Sequence, residues 1–257
     1  MTLESWNPDL YAAYRDLRLR PALDLLSHVP LLPAGEIVDL GCGAGAVAGA
    51  LLTRFPGQDL VGVDASAAML SKALGYGRTE LADIARWQPA APPVLIFSNA
   101  ALHWLSDHAV LIPRLAGFLA PRGVLAVQMP DNFDAPSHAL LRGLAPRLFP
   151  ERFAAEEFLR PVAPMRAYRD MLAPLGAVRV WQTEYLQELG PVDSGHPVRH
   201  FTRSTAMLPY LARLSEAEGE ALIRAYDAAL AEAYPLLPDG GALFPFRRLF
   251  FVHERPG

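Results

Sequence analysis

Three carboxylates stand where an apolar run gives way to a turn. They are Asp39 in Ile37-Val38-Asp39-Leu40-Gly41-Cys42-Gly43-Ala44-Gly45, Asp64 in Leu60-Val61-Gly62-Val63-Asp64-Ala65-Ser66, and Asp83 in Leu81-Ala82-Asp83-Ile84. The glycines after Asp39 carry no Cβ, so the backbone there can approach a ligand closely and take conformations closed to other residues. Asp39, close to that turn, would repel a pyrophosphate but can bind an ammonium group. Asp64 follows the glycines by about 20 residues, a spacing at which a carboxylate accepts hydrogen bonds from ribose hydroxyls; its competing reading is a helix N-cap. Asp83 stands where it can receive an adenine amino group while Ile84 packs on the ring, or where it simply holds a turn. The six-residue glycine spacing of dinucleotide sites is missing, because position 46 is alanine.

These residues need strands that end together at one edge of a sheet. Apolar, β-branched runs alternate with helix-period stretches through the first half, the pattern of βαβ units and a parallel sheet. The runs predict strands at Glu36–Leu40, Asp59–Asp64, Thr79–Ala82, Val94–Asn99 and Gly123–Met129, with helices at Ala46–Arg54, Ser66–Leu74 and Ala109–Leu119. Further on, Arg166–Leu175 reads as a helix, Val178–Leu186 as a strand and Leu249–Val252 as a last strand. Between Ala135 and Pro164 five prolines (136, 146, 150, 161 and 164) are expected to interrupt any long element. Ser194–Tyr234 reads as a helical cap, with Ser215 and Glu218 spaced as a capping box and Leu222, Ile223, Tyr226 and Leu230 on one apolar face.

A chain of 257 residues suits one large α/β domain with a smaller cap. The single cysteine, Cys42, excludes an internal disulfide framework and a zinc site of the usual spacing, so no metal is expected and a reducing, cytoplasmic compartment is. The net charge of −4, a pI near 6.0 and the lack of a dense Lys/Arg run argue against nucleic acids and anionic membranes as partners. Mean hydropathy is +0.17, yet runs such as Val94–Phe97 and Val124–Met129 are strand-sized; a membrane span needs about 20 apolar residues. Met1-Thr2-Leu3-Glu4-Ser5-Trp6 has neither the basic start nor the apolar stretch of a signal peptide.

The glycine turn with Asp39, Asp64 and Asp83-Ile84 resembles class I S-adenosylmethionine methyltransferases. Other stretches are similar to the trans-aconitate methyltransferase family: Trp6-Asn7-Pro8 with Tyr11, Arg18 and Arg20-Pro21; Ser98-Asn99-Ala100-Ala101-Leu102-His103-Trp104-Leu105; Val127-Gln128-Met129-Pro130-Asp131-Asn132; and Arg248-Leu249-Phe250. The resemblance runs from Trp6 to Val252. It implies an α/β, Rossmann-like fold, a mostly parallel sheet with helices on both faces and a helical cap. Residues 1–134 would bind S-adenosylmethionine, and residues 135–257 would supply the cap and the closing strands of the same sheet. It implies that Asp39, Gly41 and Gly43 line the methionine side of the cofactor, with Asn99 near by, that Asp64 holds its ribose, and that Asp83 and Ile84 hold its adenine. Ala65 and Met69 belong to the same set, and Tyr11 and Arg20 are expected to close over the cofactor.

The implied reaction is methylation of a carboxylate of a small di- or tricarboxylic acid by a monomer or homodimer. A carboxylate is already ionised at pH 7, its reference pKa being about 4, so no general base is required. Such an acceptor does require donors for its charges, arginine above all, because its fork matches a carboxylate. The residues to inspect are His103, Trp104, Tyr168, Arg203 and Arg248. His103 stands where the family often has glutamine, and would serve as hydrogen-bond donor or, for a hydroxyl or carbon acceptor, as general base. Tyr168 has the competing reading of a core aromatic, since Met165, Tyr168 and Leu172 share helical spacing. Ala206 and Leu208 replace the family's usual glycine and arginine, leaving Arg199 or Arg203 as possible compensation. A nicotinamide-dependent reductase and a non-catalytic cofactor-binding protein are the remaining alternatives.

Overall fold

A computed structural model describes residues 15–153 and 160–257. Tyr11, with the rest of the first fourteen residues, lies outside the described residues. The elements in chain order are α1 (Arg15–Ser27), β1 (Glu36–Leu40), α2 (Ala48–Arg54), β2 (Asp59–Asp64), α3 (Ala67–Leu70), β3 (Arg78–Leu81), β4 (Leu95–Asn99), a 3-10 turn (Leu102–Trp104), α4 (His108–Gly117), β5 (Val124–Pro130), α5 (Pro136–Leu148), α6 (Met165–Leu172), β6 (Ala177–Leu189), α7 (Pro197–Arg203), α8 (Leu208–Leu211), α9 (Glu216–Ala233) and β7 (Ala242–Glu254).

Seven strands form one sheet in the order β3-β2-β1-β4-β5-β7-β6. The pairs among β1 to β5 are parallel, whereas β7 runs antiparallel to β5. The predicted strands of the first half are present to within a residue or so at each end. Two helices are shorter than their patterns: α2 begins at Ala48, after a turn in which Gly45 has φ +86°, and α3 ends at Leu70, ahead of Gly75 at φ +89°. The expectation that prolines would interrupt Ala135–Pro164 is corrected by α5, a helix of 13 residues. Pro136 opens it, where the missing N–H would have no partner anyway, and Pro146 falls only in its last turn.

By packing, the described chain divides into two compact units. One holds Asp16–Pro130, Pro161–Thr183 and Arg248–Gly257. Its core packs Val38, Leu40, Ile96, Leu125, Val127 and Phe251 against Leu111, Ile112, Tyr168 and Leu172. The other holds Asp131–Arg160 and Glu184–Arg247. There Phe201 meets Phe244 and Phe246 at centroid distances of 5.2 and 5.4 Å, and Tyr226 donates to the Ser137 carbonyl at 2.9 Å. Its helix α9 opens with the capping box that Ser215 and Glu218 predict.

Candidate active site

Side-chain alternation turns the parallel sheet into a polar row. Asp39 pairs in register with Phe97, two residues before Asn99; Asn99 pairs with Gln128; and Gln128 lies opposite Phe250, two residues after Arg248. Asp39, Asn99, Gln128 and Arg248 therefore share one face near the carboxyl edge of the parallel strands, the face opposite Val127 and Phe251. Because β2 lies on one side of β1 and β4 on the other, this edge contains the point where strand order reverses, and open α/β sheets bind ligands there.

The glycine turn brings backbone to that edge. Gly41 has φ +84°, and a Cβ on it would lie 2.2 Å from that of Ala101. Gly43 has φ +55°, and its N–H donates to Asp64 Oδ2 at 2.8 Å. Asp64 Oδ1 accepts from the Ser66 N–H at 2.9 Å, but the cap of α3 is Ser66 itself, which receives the Met69 N–H. The N-cap reading of Asp64 is thus set aside, and its carboxylate ties the end of β2 to the glycine turn. Met69 reaches the same turn, its Cε 3.0 Å from where a Gly43 Cβ would lie, and Ala65 is exposed beside Asp64. Asp83 holds the Ala85 N–H at 2.9 Å as a turn aspartate does, and is exposed; Ile84 is buried beneath it, with its Cδ1 near Gly41.

Asp39 is the most perturbed acid of the site. It is 1% exposed, and its Oδ2 accepts the Tyr76 hydroxyl at 2.7 Å. Burial pushes its pKa up to about 7, the Tyr76 hydrogen bond pulls it back, and the charge of Asp64 pushes it up again. Burial and the same two acids push the Cys42 thiol up to about 12, which leaves it a small apolar group in the turn. A buried carboxyl with one hydroxyl partner fits a cation such as the ammonium of S-adenosylmethionine, and Asn99 Oδ1, buried without a hydrogen-bond partner among the described residues, adds a second acceptor near by.

The other predicted residues are spread more widely. Arg20 is exposed on α1. His103 is half-buried just past β4 with its ring 4.7 Å from Trp104, which is 59% exposed. Arg248 is 3% exposed at the polar row. Tyr168 is in the core: its hydroxyl meets His108 Nδ1 at 2.7 Å, accepts the Ala163 N–H at 3.1 Å, and its ring stacks on Phe251. Arg203 is exposed at the end of α7. Arg199, the other suggested compensation for Leu208, is bound to Asp227 at 2.8 Å and to the Ser194 carbonyl at 2.7 Å within its own unit. That unit also contains a cleft of about 530 Å³ lined by Asp131, Asp134, Glu184 and Arg247 among others, too acidic to attract a polyacid.

Two residues of the site escaped sequence reasoning. Tyr76 meets Asp39 across 37 residues, with no local pattern to announce it. Gln128 does carry a signal, a polar side chain inside the apolar string Val124–Met129.

Fold and site together describe a class I methyltransferase. A methyltransferase-domain family matches residues 11–179. The chain is 43% identical to a trans-aconitate 2-methyltransferase of Azoarcus sp. strain BH72, covering 98% of this chain and 100% of that one. It is 42% identical to the same enzyme of Variovorax paradoxus strain S110, covering 97% and 98%. The solved structure of the YcgJ protein from Bacillus subtilis shares the fold at a TM-score of 0.59 and 14% identity, over 93% of this chain and 99% of that one. The chain belongs to the trans-aconitate 2-methyltransferase family of S-adenosylmethionine-dependent methyltransferases.

Proposed function

We propose that this enzyme methylates one carboxylate of a small di- or tricarboxylic acid, trans-aconitate being the acceptor named for its relatives, and releases the methyl ester. The observation that carries the reading is Arg248, a guanidinium 3% exposed on the same sheet face as Asp39 and Asn99. Arginine suits such a place because its planar fork binds a carboxylate through two hydrogen bonds.

When bound, S-adenosylmethionine supplies a sulfonium methyl open to in-line attack. In this assignment Asp39, Gly41, Gly43 and Asn99 hold the methionine end, Asp64 and Ala65 the ribose, and Asp83, Ile84 and Met69 the adenine, with Arg20 closing over them. The acceptor carboxylate is ionised at neutral pH, so the enzyme's task is to position it and to exclude water. His103 then acts as a donor. Arg248 neutralises charge that the attack does not consume.

Replacing Arg248 by methionine keeps much of the stem and removes the fork. With trans-aconitate, kcat/KM is expected to fall about 10-fold to 100-fold while cofactor affinity stays level, the loss of a charged hydrogen bond being about 1.5–3 kcal/mol. An unchanged kcat/KM in the folded variant would remove Arg248 from the acceptor site. A second reading, transfer to a hydroxyl, rests on His103 at the edge of β4; turnover of phenols or alcohols with none of carboxylic acids would select it.

A further inference from the structure

Gln128 is fully buried in the sheet, and neither its Nε2 nor its Oε1 has a hydrogen-bond partner among the described residues. Leaving a buried polar atom unpaired is costly, and an apolar residue would avoid that cost. Its backbone is well held: the carbonyl accepts the N–H of Ala100, whose φ of +52° turns the chain directly after Asn99. The side chain therefore stands in a fixed place with its hydrogen-bonding capacity unused. On one side it has Asn99, its partner in register; diagonally across the β5–β7 ladder it has Arg248.

We infer that Gln128 is the specificity-determining residue for the acceptor, donating through Nε2 to the carboxylate that is not methylated. The inference rests on the polyacid reading above. Asp39 on β1 and Asn99 on β4 belong to the methionine end, so the carboxylate that attacks the sulfonium methyl lies beyond them along the row. Neighbouring strands are about 4.8 Å apart, which puts Gln128 one such step and Arg248 about 10 Å beyond β4. A step of that size is comparable to the separation of carboxylates on adjacent carbons. An acid reaching along the row from Asn99 meets the Gln128 amide first and the Arg248 guanidinium next. A monocarboxylic acid reaches neither. Gln128 Oε1, an acceptor that no carboxylate can satisfy, takes a water carried in with the acid.

The test replaces Gln128 by methionine, which has a similar length and no amide. Binding is read by calorimetry, titrating trans-aconitate and a monocarboxylic analogue of its skeleton into enzyme saturated with S-adenosylhomocysteine, so that no turnover is needed. The variant is expected to bind trans-aconitate on the order of 10-fold to 100-fold more weakly, to bind the monoacid as the wild type does, and to keep its affinity for S-adenosylhomocysteine. Its thermal midpoint should equal or exceed that of the wild type, because an unpaired buried amide has gone. Equal weakening of both acids, or unchanged binding of trans-aconitate, overturns the role of Gln128. If the wild type itself binds no polyacid, it is the polyacid reading that fails.

Discussion

Asp39 ties the chemistry of the site to a single titration. In the cofactor-free protein its carboxyl holds a proton up to about pH 7, against 3.8 for the ordinary group. The sign follows from linkage: a raised pKa favours the folded state at low pH, and that advantage is lost as pH rises from 3.8 through about 7. A cationic cofactor prefers the carboxylate, so its binding should expel the proton and strengthen with rising pH across this window. Calorimetry in two buffers of different ionisation heat reads both effects. Asp39→Asn should bind more weakly at pH 8 with a flat pH profile, and its cofactor-free form should be more stable there by a few kcal/mol. A wild-type affinity independent of pH between 5.5 and 8, a range of about 2.5 units around that titration, would contradict this account. Sequence revealed Asp39 and Asp64 because each ends an apolar strand run, one just before the glycine turn and one about 20 residues after it, which are local patterns. It could not reveal Tyr76, whose hydroxyl pulls the Asp39 pKa down from 37 residues away.

At the scale of elements, the turn between β1 and α2 decides whether the site exists. Gly41 combines a left-handed φ of +84° with a Cβ position already occupied by Ala101, which begins the turn after β4. Gly41→Ala must therefore strain its backbone and push apart two of the strand ends that build the site. We expect a loss of at least 2 kcal/mol in urea denaturation, together with loss of cofactor binding; a variant within about 0.5 kcal/mol of wild type would show the turn to be more tolerant than its geometry. Buried parallel strands such as β1, β4 and β5 were legible from the short apolar runs Ile37-Val38, Leu95–Phe97 and Val124–Val127 within them. The long β7 was not: Pro245, Arg247 and Arg248 break its pattern, and only Leu249–Val252 read as a strand. Pro245 is accommodated because the β5 ladder ends at Pro130 opposite Arg248, leaving no partner on β5 in need of its missing N–H. Helix α5 was hidden by the opposite error, in which a proline that starts a helix was counted as one that stops it.

For the molecule as a whole, strand order does the assembling. Placing β4 beside β1, β5 beside β4, and the middle of antiparallel β7 beside the end of β5 brings residues 39, 99, 128 and 248 onto one sheet face. Their separations in sequence say nothing of this, which is why local motifs offered Asp39, Asn99 and Arg248 one by one but could not set them in one row with Gln128. The central claim is that this row carries methyl from S-adenosylmethionine to a polyacid. The most direct measurement supplies methyl-labelled S-adenosylmethionine to the wild-type enzyme with trans-aconitate, other carboxylic acids, hydroxy acids and phenols, and follows label into product. Label appearing as a base-labile monomethyl ester of trans-aconitate or a related polyacid is the predicted result. Label found only in phenols or alcohols, or in no acceptor while NADH binds more tightly than S-adenosylmethionine, would contradict it.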